Sequence, residues 1–183
     1  MTITAYLAGP DVFLPNAVEH AKRKVEICND YGINGIAPLN QDMDVEYTGK
    51  SDWIGIYVKD VKMMERSDII IANLTPFRGV SADSGTLIEV GWFSGRKRPV
   101  FAYSNEAILF SERSMAYLER NPDPMEGVSV EGFSLPDNLM IPGSVLFGGG
   151  GAVELPRNES LPFDSLEVFE RCVKNVASRL MVR

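Results

Sequence analysis

Residues 67-SDIIIANL-74 form a run that is mostly apolar and rich in isoleucine. A continuous apolar run of this length is typical of a central strand that is buried on both faces of a sheet. Three more short β-rich runs occur along the chain, and segments with helical character separate them. These further strands are expected at 2-TITAYLAG-9, 33-INGIAPL-39 and 98-RPVFAYS-104.

The alternation of strands and helices favours a parallel sheet with helices on both of its faces. We therefore predict a three-layer α/β fold, flavodoxin-like or Rossmann-like, with about five strands. The fifth strand is expected at 143-GSVLF-147. The four glycines at 148–151 lack the Lys-Ser/Thr pair of a phosphate-binding loop and indicate a flexible surface loop. Predicted helices cover 15–32, 51–66, 83–95, 106–120 and 163–183.

The bulk composition is that of an ordinary globular protein. The chain has 183 residues, of which 45% are hydrophobic and 23% are charged. This length fits one domain, so we expect residues 1–183 to form a single unit. The longest apolar runs are too short to span a bilayer, and no secretory signal is visible at the N-terminus. We therefore expect a cytoplasmic protein without membrane contact.

Charge and residue usage argue against several classes of function. The formal net charge is −7, so the chain lacks the basic surface that nucleic-acid binding requires. Cys28 and Cys172 lie far apart, outside any CxxC motif, and are expected to be buried, reduced thiols. His20 is the only histidine. We therefore expect no metal site and no cofactor, and we expect acid–base chemistry to use carboxylates or tyrosines.

Two carboxylates follow the central strand, within 83-DSGTLIEVGW-92. In open parallel α/β sheets, ligands bind in the crevice beyond the carboxyl ends of the strands. Asp83 is either a helix N-cap or a ligand-binding group. Glu89 is either a surface glutamate or a cleft residue. Gly85 and Gly91 favour the cleft, because glycines within a helix suggest the close approach of another group.

Five further polar side chains lie near the same predicted rim. Tyr6, in the first strand, is either a core tyrosine or a site residue. Asp60 is either a site residue or an ordinary charge on a helix surface. Asp11 follows the first strand, and Asn40 and Gln41 follow the second. These residues indicate an acidic α/β protein with a carboxylate-lined cleft.

Four segments of the chain carry a specific pattern: 6-YLAGPDVF-13, 67-SDIIIANLTPFRG-79, 83-DSGTLIEVG-91 and 131-EGFSLPDNLM-140. Together they resemble the nucleoside 2-deoxyribosyltransferase family. The resemblance runs from the first strand to about residue 147, and its most specific feature is D-x-G-T-x-x-E-x-G with a downstream N-L-M. The branch of the family with an AGP first loop and an F-R-G turn is the most similar. The acidic loop 41–50 and the segment 143–162 have no counterpart in this pattern.

The resemblance implies three catalytic residues. Glu89 would be the nucleophile, because a carboxylate below the sugar can stabilise the positive charge that builds at C1′ and then form a glycosyl ester. Tyr6 would hold Glu89 through its hydroxyl group. Asp60 would be the general acid that donates a proton to the leaving base.

The resemblance also implies how the substrate is bound. Asp83 would bind the sugar 5′-hydroxyl group. Gln41 would contact the base edge, or Asn40 would do so instead. The other implied substrate-binding residues are Phe13, as a wall of the base pocket, and Gly9 in the first loop.

The activity implied by the resemblance is base exchange on 2′-deoxynucleosides, by a retaining ping-pong mechanism through a covalent glutamyl-deoxyribose intermediate. Two alternatives remain: an N-glycoside hydrolase of 2′-deoxynucleosides or their 5′-monophosphates, and a non-catalytic nucleoside-sensing module. Related monophosphate hydrolases carry small or hydroxyl residues where Asp83 stands, and a carboxylate there would repel a phosphate. Asp83 therefore favours a nucleoside over a nucleotide.

The N-L-M motif has a further implication for assembly. In the family pattern it reaches into the active site of a neighbouring subunit, and here it supplies Asn138 and Met140. The resemblance thus implies a homo-oligomer, at least a dimer. The other expected partners are small-molecule nucleosides and free nucleobases.

Overall fold

The computed structural model describes residues 2–39 and 52–180, and of residue 52 it describes only the backbone. The strands are β1 (Ile3–Ala8), β2 (Ile33–Ile36), β3 (Ile69–Asn73) and β4 (Val100–Tyr103). The helices are α1 (Ala17–Asp30), α2 (Asp52–Arg66), α3 (Ser84–Gly95), α4 (Phe110–Leu118), α5 (Met140–Phe147) and α6 (Glu167–Leu180), and a 3-10 turn covers Pro10–Phe13.

The four strands form one parallel sheet in the order β2-β1-β3-β4. Strand β3 is buried along its whole length, as its continuous apolar run predicts. The chain passes from β1 outward to β2 and then returns to β3 on the other side of β1, so the strand order reverses between β1 and β3. The prediction of an α/β parallel fold is confirmed, and the usual ligand crevice of such folds lies at the carboxyl ends of β1 and β3.

Helices cover both faces of the sheet. Alternate side chains of each strand point to opposite sides, so each strand presents apolar side chains to a core on either face. Tyr6 and Ala8 of β1 face a core that includes residues of α2, α3 and α5. Ala5 and Leu7 face a second core that includes residues of α1 and α6. The hydroxyl group of Tyr6 is thereby directed to the side of the sheet where α2 and α3 pack.

Helix α6 covers one face of the sheet, as its amphipathic pattern predicts. Phe169, Val173 and Val176 are fully buried, and each such side chain contributes about 1.5–3 kcal/mol of hydrophobic free energy. Leu180, at the end of the apolar stripe, is 40% exposed. Within the described ranges, no helix has both the length and the apolar character needed to cross a bilayer.

The strand predicted at 143–147 is wrong, because these residues belong to helix α5. Ile141 and Val145 are its buried residues, whereas Gly143, which a strand would place on the same face, is only partly buried. Short apolar runs do not distinguish the two periods. The position beside β4 is taken instead by the following segment, through parallel bridges of Val100 to Gly149 and of Tyr103 to Glu154.

The glycine run at 148–151 is packed against β4 and is not a loose surface loop. The amide of Val100 donates to the carbonyl of Gly148, and Gly150 is buried. A Cβ atom on Gly150 would lie 2.0 Å from the carbonyl oxygen of Val100. Glycine is therefore required there by the close approach of two backbone segments.

Candidate active site

The centre of the site is a hydrogen bond between strand β1 and helix α3. The Tyr6 hydroxyl donates to Oε1 of Glu89 at 2.6 Å. Glu89 is half-buried, because it lies three residues after Thr86 and four before Phe93, both of which face the core. The structure thus places Glu89 beside the buried face of α3 and not among its solvent-facing residues.

The environment of Glu89 makes its carboxyl group hard to ionise. Burial raises the pKa of Glu89 to about 7, the hydrogen bond from Tyr6 opposes this rise, and the charges of Asp60 and Asp83 add to it. Burial also raises the pKa of Tyr6 well above its usual value, and the carboxylate of Glu89 contributes to that rise. Tyr6 therefore remains a neutral hydrogen-bond donor over the physiological range of pH.

Asp60 brings a second perturbed carboxyl group to the same side of the sheet. Helix α2 carries it, and its side chain is half-buried. Burial raises the pKa of Asp60 to about 6, and Lys59 opposes the rise. Its Oδ1 atom is buried and has no hydrogen-bond partner among the described residues. Asp60 is therefore not an ordinary solvated charge, and a carboxyl group with such a raised pKa is typical of functional sites.

Asp83 caps α3 from a non-helical backbone conformation. Its Oδ2 atom accepts from the amide of Thr86 at 3.0 Å and from the Thr86 hydroxyl at 3.2 Å. The capping interpretation is confirmed, and Asp83 still lies close enough to Glu89 to raise its pKa. A Cβ on Gly85 would approach Asp83 Oδ2 to 3.0 Å, whereas Gly91 is exposed and faces open space. The close-approach argument therefore fails for Gly91 within this chain.

The loop after β1 is fixed by a buried polar cluster. Asp11 accepts from Lys24 Nζ at 2.8 Å and from Asn73 Nδ2 at 2.9 Å, and His20 Nε2 lies 3.5 Å away. Burial alone would raise the pKa of Asp11, but the ammonium of Lys24 and these hydrogen bonds hold it well below its usual range. A Cβ on Gly9 would lie 2.7 Å from Asp11 Oδ2. Asp11 and Gly9 therefore shape this loop by close packing.

Phe13 stands at the end of this loop, 58% exposed, in an aromatic stack that the sequence does not reveal. Its ring stacks on Phe77 at 5.3 Å, and the Arg78 guanidinium lies 4.9 Å from its centre. Phe77 and Arg78 belong to the loop after β3. The stack therefore joins the loops at the carboxyl ends of the two central strands and leaves part of the Phe13 surface open.

Asn138 and Met140 lie at the start of α5. Asn138 Nδ2 donates to Glu131 at 3.2 Å, and Met140 is 69% exposed. Neither side chain is hydrogen bonded to Tyr6 or Glu89. Two other candidates, Asn40 and Gln41, lie outside the described residues.

Tyr6, Asp60, Asp83 and Glu89 are thus brought together by strands and helices that are distant in sequence. Burial raises the pKa of Asp60 to about 6 and that of Glu89 to about 7, so both groups change their ionisation close to neutral pH. With one proton on the pair, one group can serve as a nucleophile while the other serves as an acid.

The fold and the site together define an α/β protein with a group of carboxylates beside the carboxyl ends of parallel strands. A family model of nucleoside 2-deoxyribosyltransferases matches residues 5–140, which is most of the chain. The chain belongs to the nucleoside 2-deoxyribosyltransferase family. This membership indicates an enzyme with a nucleoside 2-deoxyribosyltransferase-like function.

Three individual proteins are similar to this chain. An uncharacterized protein of Schizosaccharomyces pombe is 28% identical over 194 aligned residues, which cover 96% of this chain and 89% of that protein. The structure of a 2-desoxiribosyltransferase from Leishmania mexicana matches with a TM-score of 0.65 at 24% identity, over 97% of this chain and 99% of that one. A conserved protein from Enterococcus faecalis matches with a TM-score of 0.56 at 18% identity, over 95% and 98% of the two chains. The two structures support the fold.

Proposed function

We propose that the protein transfers the 2-deoxyribosyl group from one nucleobase to another on 2′-deoxynucleosides. The observation that carries this proposal is the half-buried Glu89 carboxyl group, hydrogen bonded by Tyr6 at 2.6 Å and close to a second carboxyl group with a raised pKa. A retaining glycosyl transfer needs two carboxyl groups in these two roles.

In the first half-reaction, the ionised Glu89 carboxylate attacks C1′ of the bound deoxynucleoside. The bond between C1′ and the base nitrogen breaks, and its electron pair leaves with the base. Asp60, in its protonated form, supplies the proton that makes the leaving base neutral. The deoxyribosyl group is then held as an ester of Glu89.

In the second half-reaction, a nitrogen atom of the incoming base attacks C1′ and transfers its proton to the Asp60 carboxylate. The ester bond breaks, and Glu89 leaves as a carboxylate. Two inversions at C1′ give net retention. Tyr6 contributes to both steps, because its hydroxyl group orients the Glu89 carboxylate.

Substrate binding is assigned to the surrounding loops. Asp83 binds the sugar 5′-hydroxyl group, and its position close to Glu89 supports this role. The exposed surface of Phe13 forms a wall of the base pocket, and Gly9 keeps the loop beneath the sugar free of a side chain. The base edge is assigned to Gln41 or Asn40, which lie outside the described residues.

We further propose that the active enzyme is a homo-oligomer, at least a dimer, in which Asn138 and Met140 complete a neighbouring site. Large apolar side chains of α3 and α5 support this proposal, because they are exposed in the single chain. Phe147 is 91% exposed, Ile88 73% and Leu146 56%. Surfaces of this kind commonly lie in contacts between subunits.

Base exchange is tested by incubating the protein with deoxyinosine and free adenine and measuring deoxyadenosine. We expect deoxyadenosine to form, with kinetics that depend on both substrates in a ping-pong pattern. Release of free deoxyribose at a rate unaffected by adenine would instead identify a hydrolase. Binding of deoxyinosine without either product would identify a sensor. Either of these results would contradict the proposed transfer.

Replacing Tyr6 by phenylalanine is expected to move the pH profile of the reaction. The hydrogen bond from Tyr6 lowers the pKa of Glu89, so its removal raises that pKa above about 7. Because Glu89 must be ionised to attack, kcat/KM at acidic pH is expected to fall by about tenfold or more, which is the effect of losing a hydrogen bond to a charged group. At alkaline pH Glu89 is ionised in both proteins, so kcat/KM there should change little. The measurement is kcat/KM as a function of pH.

Tyr31→Phe is the matched control, because Tyr31 donates to Glu170 at 3.1 Å on the protein surface. It removes a tyrosine–glutamate hydrogen bond of the same kind and is expected to leave the profile unchanged. An acidic limb that stays in place in the Tyr6 variant would show that Tyr6 does not act on the nucleophile.

A further inference from the structure

Asp137 is a buried carboxylate that joins two segments far apart in sequence. Its exposed fraction is only 2%. Oδ1 accepts from the Ser81 hydroxyl at 2.6 Å, and Oδ2 accepts from the amide of Ala82 at 2.9 Å. Ala82 immediately precedes Asp83, the N-cap of α3. The carboxylate therefore holds the backbone from which Asp83 enters the site.

The same carboxylate also fixes the start of the 138–140 segment. Oδ1 of Asp137 accepts from the amide of Asn138 at 2.8 Å. Glu131 completes this arrangement, because its carboxylate accepts from Asn138 Nδ2 at 3.2 Å and from the amide of Leu139 at 2.9 Å. Two carboxylates thus set the direction in which the segment leaves the body of the protein.

Arg113 joins the same two regions through their carbonyl groups. Its Nε donates to the carbonyl of Val80 at 3.0 Å, and one terminal nitrogen donates to the carbonyl of Pro136 at 2.8 Å. Asp137 thus accepts hydrogen bonds from the donor groups of the two segments, and Arg113 donates hydrogen bonds to their carbonyl groups. Buried hydrogen bonds of this kind resist separation, because each one lost leaves a charged or polar group without a partner.

We propose that Asp137 is a positioning residue that links the loop leading into Asp83 with the segment that carries Asn138 and Met140. The wider consequence rests on the proposed function, in which Asp83 acts in the chain's own site and Asn138 in its neighbour's. A single carboxylate would then set the geometry of two active sites at once. A change at Asp137 impairs both of them.

The physical link is tested by amide hydrogen exchange in Asp137→Asn. An asparagine cannot accept all three hydrogen bonds, because an amide group replaces one of the two oxygens. Exchange at the amides of Ala82 and Asn138 is expected to rise together, by about tenfold or more. Asp123→Asn, an exposed carboxylate in the same part of the chain, is the control and changes neither amide. A rise at only one of the two amides would overturn the proposal.

Ser81→Ala provides a second and milder variant, in case the asparagine variant does not fold. It removes one hydrogen bond to Asp137 and leaves the carboxylate in place. If the two segments are joined through Asp137, exchange at Asn138 rises in this variant too. Unchanged exchange at Asn138 would show that the segments are held independently and would overturn the link.

The effect on two sites is tested with mixed oligomers of differently tagged subunits. In a dimer of a Glu89→Gln subunit and an Asn138→Ala subunit, the second subunit keeps its own Glu89 and receives Asn138 from the first. One site is therefore intact, and the pairing is expected to restore about half of the wild-type rate. Pairing Glu89→Gln with Asp137→Asn is expected to restore at least about tenfold less, because the only subunit with Glu89 then has a displaced Asp83 loop.

Each outcome of the mixed-oligomer test is decisive. Equal recovery in the two pairings would confine Asp137 to the neighbour's site and overturn the shared role. Failure of the first pairing would overturn the neighbour role of Asn138 together with the shared role of Asp137. The wild-type assay in the same series shows whether base exchange itself holds, and the hydrogen-exchange result stands independently of activity.

Discussion

Glu89→Gln is expected to abolish base exchange, lowering kcat by roughly three to six orders of magnitude, as the loss of a nucleophile does in enzymes that form covalent intermediates. Glutamine keeps the shape of the side chain and can still accept the hydrogen bond from Tyr6. It cannot form the glycosyl ester. The measurement is the rate of deoxyadenosine formation, accompanied by the affinity for deoxyinosine, which is expected to change far less than kcat.

The same variant has a predicted effect on stability. Burial raises the pKa of Glu89 from 4.5 to about 7 in the folded state. Because the pKa of Glu89 is higher in the folded state, protonation of Glu89 stabilises the fold at pH values below the pKa of the unfolded chain. This stabilisation is lost as the pH rises through about 7. Glu89→Gln removes the cost of an ionised buried carboxylate. The difference in Tm between the variant and the wild type is therefore expected to be more positive above this pH than at pH values below the pKa of Glu89 in the unfolded chain.

Glu170→Gln is the control for both measurements, because Glu170 accepts a hydrogen bond from Tyr31 on the exposed side of α6. It should leave the rate unchanged. A Glu89→Gln variant that retains wild-type activity would eliminate Glu89 as the nucleophile. A variant that loses activity and deoxyinosine binding together would point to a binding role instead.

Asp60→Asn is expected to lower kcat by about 10²–10⁴-fold, which is the usual contribution of a general acid. The loss should depend on the leaving group, because a base that departs readily as an anion needs little protonation. The descending limb of the pH profile should also disappear, because asparagine has no acidic proton that is lost as the pH rises. The measurement is kcat against pH for a series of deoxynucleosides with different bases.

Glu65→Gln lies on the same helix with its side chain exposed, and it serves as the control for this series. It is expected to have no effect on rate or pH profile. If Asp60→Asn slowed all bases equally and kept the descending limb, Asp60 would have no part in proton transfer.

The sequence predicts the sheet and favours a site position for Glu89 for simple physical reasons. The continuous apolar run of β3 has to be buried on both faces, so the neighbouring elements must form a parallel α/β sheet around it. Helical spacing then places Glu89 in line with Thr86 and Phe93. Strand alternation places Tyr6 on the face of the sheet that α3 covers. These two periodicities allow the contact between Tyr6 and Glu89, and the resemblance to the family implies it.

Other features depend on contacts between distant segments, and local patterns do not reveal them. The run 143–147 has no feature that separates a short strand from a helix, and its packing beside α3 decides the outcome. Lys24 has the pattern of a surface lysine, yet it is 2% exposed because Asp11 neutralises its charge. Asp137 resembles an ordinary loop residue, and only the approach of Ser81 and Ala82 reveals its role.

The most direct test of the account is mass spectrometry after brief incubation with a 2′-fluoro-arabino nucleoside, whose fluorine slows release of the sugar from an ester. The account predicts one added fluorinated sugar on the peptide that contains Glu89, and its removal when free adenine is added. An unmodified protein that nevertheless exchanges bases, or an adduct on another residue, would contradict the assignment of Glu89 as the nucleophile.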